Sequence, residues 1–213
     1  MNQPVLSLES YVASNHGLVR VRNLILLYDQ AKSTGQDSKD APVSDILRSA
    51  VVLLHAVLEE YVRHVVGSAL PLAEDTVLDR VPITGQSRGS KFQLGSLASH
   101  RGKTVDQLLD ESVQYYLANR SFNSISEIVA TLRSCGIDLG SRIPAKALEE
   151  MISRRHKIVH EADVPANRRP SSFAPRAISR RQMVRWTAAV ERFVRSVDAE
   201  WKAGRWSRWG GTA

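Results

Sequence analysis

The sequence predicts an all-α fold, an antiparallel helical bundle with additional short helices. Three observations predict it. Apolar residues recur at three- and four-residue spacing over long stretches. No segment alternates with period two between turn residues. Glycine and proline fall mostly between the periodic stretches, with one irregular insertion in the middle of the chain.

The elements follow in order. A first helix is expected from about Leu6 to Lys32, with Leu18, Val21, Leu24, Ile25 and Tyr28 at helical spacing and Gly17 as a possible interruption. After a polar loop, a second helix runs from Val43 or Ser44 to about Ser68, closed by Gly67 and Pro71. Its stripe is Leu47, Ala50, Val51, Leu54, Leu58, Tyr61, Val62 and Val65. Glu59 and Arg63 stand one turn apart and can pair on the opposite side. Pro82, Gly85, Gly89 and Gly95 punctuate the next stretch, before a short helix over about Thr104 to Leu117. A clearer helix spans Ser124 to Ser134 and ends at Gly136. Another begins near Pro144 and is expected to reach about Asp163. The last helix covers about Ser179 to Lys202 and leads into a Trp/Arg tail.

At 213 residues and 43% hydrophobic composition, the chain is read as a single domain over 1–213, with its core over about 43–203 and the tail over 204–213. Cys135 is the only cysteine, which rules out an intrachain disulfide framework and an all-cysteine zinc site. The N-terminus has no basic region followed by an apolar core, and the most apolar run, Val43 to Val66, is broken by charge. The expectation is a cytoplasmic protein with no membrane partner. The net charge of +7 is unevenly placed: from Arg142 onward there are 16 Lys and Arg against 7 Asp and Glu, leaving −2 on the first 141 residues. Such asymmetry points the C-terminal part at an anionic partner, or serves only solubility.

The segment Arg154-Arg155-His156-Lys157-Ile158-Val159-His160 breaks its own pattern. On a helical wheel Leu148, Met151, Ile152, Ile158 and Val159 share one arc, and Arg155 falls near its centre. An arginine facing a core is costly unless paired. Either an acid meets it, with Glu59 and Glu60 as internal candidates, or the arc lines a cleft open to ligand. His156 and His160 stand at i, i+4, but Lys157 occupies the place where helical zinc hydrolases put a glutamate base, so neither metal nor cofactor is expected. Metal-free chemistry needs less. A histidine moves protons near neutral pH, an arginine holds a phosphate through two parallel hydrogen bonds, and RNA supplies its own 2′-hydroxyl nucleophile. His160 also lies near a helix C-terminus, where the macrodipole favours positive charge.

Arg155, a polar residue at His156, three intervening positions and His160 resemble the Arg-polar-x-x-x-His motif of HEPN domains. The longer run Arg154 to Asp163 is similar to the signature of HEPN proteins of the RiboL-PSP type. The upstream helix Asp45 to Val62 resembles their early core helix, and Ile125 to Leu139 resembles the stretch before the motif helix. The resemblance implies a bundle that forms a two-fold homodimer with two motif helices around a shared cleft. It implies a metal-independent endoribonuclease of a toxin–antitoxin or defence system, with an antitoxin or other inhibitory protein as a possible partner. It makes Arg155 and His160 the catalytic pair and His156 a supporting group. The alternative is a non-catalytic RNA-binding or protein-interaction module, since some HEPN domains lack nuclease activity.

Arg154, Lys157, Arg168, Arg169, Arg180 and Arg181 are candidate RNA contacts near the motif, supplying sequence-independent affinity for phosphate. Solvated surface charge is the plainer account of them. Trp201, Arg205, Trp206, Arg208 and Trp209 could stack on unpaired bases and hold the backbone, but packing of the tryptophans over the bundle or across a dimer interface is favoured. Cys135 reads as a small core residue.

Overall fold

Seven α-helices and three short 3-10 helices make up the computed structural model, which describes residues 8–35, 41–85, 94–161 and 177–203. In order these are α1 (Leu8–Ser33), α2 (Ala41–Ala69), α3 (Asp75–Leu78), α4 (Val105–Ala118), α5 (Ile125–Ser134), α6 (Ala145–His160) and α7 (Arg180–Lys202). The 3-10 turns are Leu70–Leu72, Leu94–His100 and Gly140–Arg142.

The helix α2 is the hub, because its sequence is apolar on more than one face. Leu47, Val51, Leu54, Leu58, Val62 and Val65 are fully buried along the stripe, and Val57 and Val66 to either side of it are buried too. It packs against α1, α4, α5, α6 and α7, which leaves only a narrow strip, including Ser49, Ala56 and Glu60, in solvent. Burial of this kind contributes roughly 1.5–3 kcal/mol per large aliphatic side chain. α1 adds Leu18, Val21, Ile25 and Tyr28 to the same core. Gly17 does not interrupt α1. A Cβ built there would lie 2.4 Å from Val57 Cγ2, so the glycine permits close approach of α1 to α2.

Local chemistry sets the helix ends. Thr104 and Gln107 form a reciprocal capping box at α4, and Ser179 and Gln182 form another at α7. The Ser124 hydroxyl accepts from Glu127 N at α5. Gly136 ends α5 with φ 81°, and Ile137 N donates back to Leu132 O at 2.9 Å. α6 stops at His160, about three residues earlier than the sequence suggests, with Glu161 N donating to Lys157 O at 3.0 Å. The short α3 and the turn at Leu70–Leu72 carry too few residues to show helical periodicity in the sequence.

Polar ties fix α7 to its neighbours. The Tyr61 hydroxyl donates to Asp198 Oδ1 at 2.6 Å and lies 3.1 Å from Val194 O. Burial and the Asp198 charge push the Tyr61 hydroxyl far above its ordinary range, so it remains a donor. Arg22 pairs with Glu191 at 2.6 Å, and Arg180 Nε lies 2.8 Å from both Asp29 oxygens. Since Arg22 precedes Asp29 while Glu191 follows Arg180, α1 and α7 run antiparallel. Trp201 is buried and packs into the core, in line with the favoured reading of that residue; the rest of the tail lies outside the described residues. No described helix is long and apolar enough to cross a membrane.

Candidate functional site

The first two turns of α6 follow the wheel: Leu148, Met151 and Ile152 are buried. The last turns do not. Ile158 is half-buried and Val159 is 47% exposed, because α6 runs past the edge of the core before it ends. Val159 is therefore not a core residue, contrary to the periodicity. Arg155 sits at this transition, half-buried, with its Nε out of solvent and without a hydrogen-bond partner.

Neither Glu59 nor Glu60 meets Arg155. Both carboxylates are held by Arg63, at 3.2 Å each. The pairing of Arg63 with Glu59 that their spacing suggested is present, and Arg63 reaches further: its Nε and Nη2 also donate to the carbonyls of Leu117 and Arg120, at 3.2 and 3.0 Å. Glu59 Oε1 additionally accepts from Phe122 N at 3.3 Å. The chain between α4 and α5 is thereby fastened to α2, and the acids that might have neutralised Arg155 are spent on that task. Among the described residues Arg155 makes no ion pair.

Beneath Arg155 lies His55, 2% exposed on the buried stripe of α2, with Nδ1 3.8 Å from Glu59 Oε2. Burial first, and the Arg155 charge second, hold its pKa below the ordinary 6.5, against the opposing pull of Glu59 and a hydrogen bond to the Phe122 backbone. His55 is neutral at pH 7. The sequence reading passed over it. Its signal was the same as that of Arg155, a polar side chain within an apolar stripe.

Arg155, His156 and Lys157 line a cleft of about 220 Å³ beside α6, together with Glu149, Ile152 and Ser153 earlier on the same helix and Asn123 from the segment before α5. His156 and His160 are exposed, and their rings stack at 4.7 Å between centroids, tilted by 43°. His160 is thus one turn beyond the cleft, coupled to it through His156. The arrangement offers an unneutralised guanidinium that can hold an oxyanion and two solvent-facing imidazoles that can exchange protons. Among the described residues no group of three or more His, Cys, Asp or Glu could hold a metal ion.

The other candidates are dispersed. Arg154 is half-buried on α6, and Arg181 is exposed at the start of α7. Arg180 is engaged by Asp29, and Arg185, one turn on, by Glu150, so these two basic side chains tie α7 to α1 and α6. Arg168 and Arg169 lie outside the described residues. Cys135 is buried at the C-terminal end of α5, and burial pushes its thiol up to about 11, which suits a core residue.

The family model described as RiboL-PSP-HEPN matches residues 18–200, a span that includes α2, the cleft and the whole of α6. No curated protein and no solved structure matches the chain.

Proposed function

Because the chain belongs to the RiboL-PSP-HEPN family, and HEPN domains include ribonucleases as well as non-catalytic members, we propose that it is a metal-independent endoribonuclease acting as a homodimer. The observation that carries this reading is the state of Arg155: a guanidinium at a cleft wall, with a buried unpartnered Nε and, among the described residues, no ion pair. Arg155 holds the scissile phosphate and stabilises the charge that builds on it. The 2′-hydroxyl loses its proton and attacks the adjacent phosphorus. The bond from phosphorus to the 5′-oxygen breaks, and that oxygen takes a proton. The products are a 2′,3′-cyclic phosphate and a 5′-hydroxyl. His160 handles the protons, with a second His160 from two-fold pairing available for the second transfer. His156, stacked on His160, supports its ring.

Lys157 at the cleft adds a phosphate contact, and Arg154, Arg168, Arg169 and Arg181 are the further basic residues proposed to hold the RNA backbone. A toxin–antitoxin or defence setting, with a protein inhibitor covering the cleft, fits an enzyme whose substrate is the cell's own RNA.

The test is incubation of the purified chain with RNA in EDTA, followed by end-group analysis. Cyclic phosphate and 5′-hydroxyl ends support the reading. Measurable RNA binding with intact RNA would replace it with a non-catalytic module, and light scattering or sedimentation that finds only monomer would remove the shared cleft.

A further inference from the structure

The cleft is longer than a phosphate needs, and its two ends differ in charge. Glu149, Ser153, His156 and His160 are spaced four, three and four apart, so they form a single file along one face of α6. From Glu149 to His156 the helix rises about 10 Å, roughly the length of one nucleotide from phosphate to base edge. Arg155, His156 and Lys157 crowd one end. Glu149 stands at the other, and Asn123 faces it from the segment before α5. Ile152, 3% exposed, lies in the floor between them.

The far end does not suit a phosphate. A carboxylate repels an anion. Glu149 Oε2 accepts from Ile125 N at 3.3 Å, which anchors the group, and among the described residues Oε1 has no partner. Asn123 Nδ2 donates to Ser121 Oγ at 2.8 Å, and its carbonyl oxygen accepts nothing among the described residues. Both side chains are exposed and keep an acceptor oxygen free of partners among the described residues, at the end of the cleft away from the Arg155 cation. The complement is a flat ring whose edge carries adjacent N–H donors. Guanine has them at N1 and N2. Uracil has one donor flanked by two carbonyls, which would face the carboxylate. The volume of about 220 Å³ admits a purine.

We infer that the Glu149–Asn123 end of the cleft is a nucleobase subsite that selects guanine over uracil, next to the phosphate held by Arg155. The inference rests on the reading of Arg155 as the phosphate group's holder. Glu149 is the specificity-determining residue, and Gln at this position keeps an acceptor for Ile125 N while losing the charge.

The experiment measures binding of two uncleavable 2′-O-methyl hexamers, all-uridine and the same sequence with one central guanosine. The parent is expected to bind the guanosine hexamer about tenfold or more tightly. Glu149→Gln, with an unchanged melting temperature, is expected to reduce the ratio below about threefold without weakening the all-uridine hexamer. Equal affinities in the parent, an unchanged ratio in Glu149→Gln, or no binding of either oligonucleotide overturns the inference. A matching oligonucleotide with one 2′-hydroxyl at the guanosine is run in parallel. Guanine-selective binding without cleavage would keep the subsite and defeat the ribonuclease.

Discussion

Arg63 on α2 and Arg155 on α6 are both arginines lodged against the bundle, and the fold treats them in opposite ways. Arg63 spends its donors on two carboxylates and two backbone carbonyls, all within 3.2 Å. Arg155 has a buried Nε with no acceptor and no ion pair among the described residues. The first is a structural rivet between α2 and the segment that leads into α5. The second is a charge kept available. The difference lies in where the acids stand: Glu59 and Glu60 sit one turn from Arg63 on the same helix, so local spacing gives them to it before α6 can compete.

Substitutions can break or sharpen this contrast. The largest expected effect is at the site. Arg155→Ala should lower RNA cleavage by about 10²-fold or more, the scale of losing one donor to a developing oxyanion, while the melting temperature holds or rises. A matching fall in melting temperature would make Arg155 a second rivet. Arg63→Ala should do the reverse. Two carboxylates and two carbonyls lose their donor, for a loss of about 1–3 kcal/mol in urea unfolding, with the rate per folded molecule little changed. Gly17→Ala probes the packing that presents α2 to α6. The added methyl meets Val57 and should cost about 1–3 kcal/mol, partly restored by Val57→Ala. Tyr61→Phe should cost about 1 kcal/mol, since it removes the donor to Asp198.

The smallest effect is the pH dependence from His55. Its folded pKa lies below 6.5, so as pH falls past 6.5 the unfolded chain takes up a proton that the folded chain refuses. Stability present above pH 6.5 is lost as pH falls toward the folded pKa. His55→Gln should flatten that part of the curve, seen in thermal melts between pH 7 and 5. An unaltered slope would mean that His55 is not held neutral.

Much of this fold was legible because helices announce themselves locally. The stripe of α2, the helix starts at Ser124 and Ser179 and the Gly136 stop need only near neighbours in sequence. What was illegible depended on distant pairing. Arg180 looked like a free cation at a helix start, yet it meets Asp29 across 151 positions. Gly17 looked like a break, and only the approach of Val57 explains it. Val159 obeys the wheel but outruns the core. At the site, the wheel gave the anomaly at Arg155 without telling whether an acid answered it, and it passed over His55, Asn123 and Glu149, whose meaning comes from the cleft they surround.

The proposed reaction is metal-free RNA cleavage at the α6 cleft, with His160, one turn beyond it, moving the proton. The most direct measurement is the initial rate of 5′-hydroxyl product formation in EDTA for the parent and for His160→Ala at matched melting temperature. The expected result is a fall of about 10²–10⁴-fold, with RNA affinity retained. Equal rates for the two proteins would contradict it.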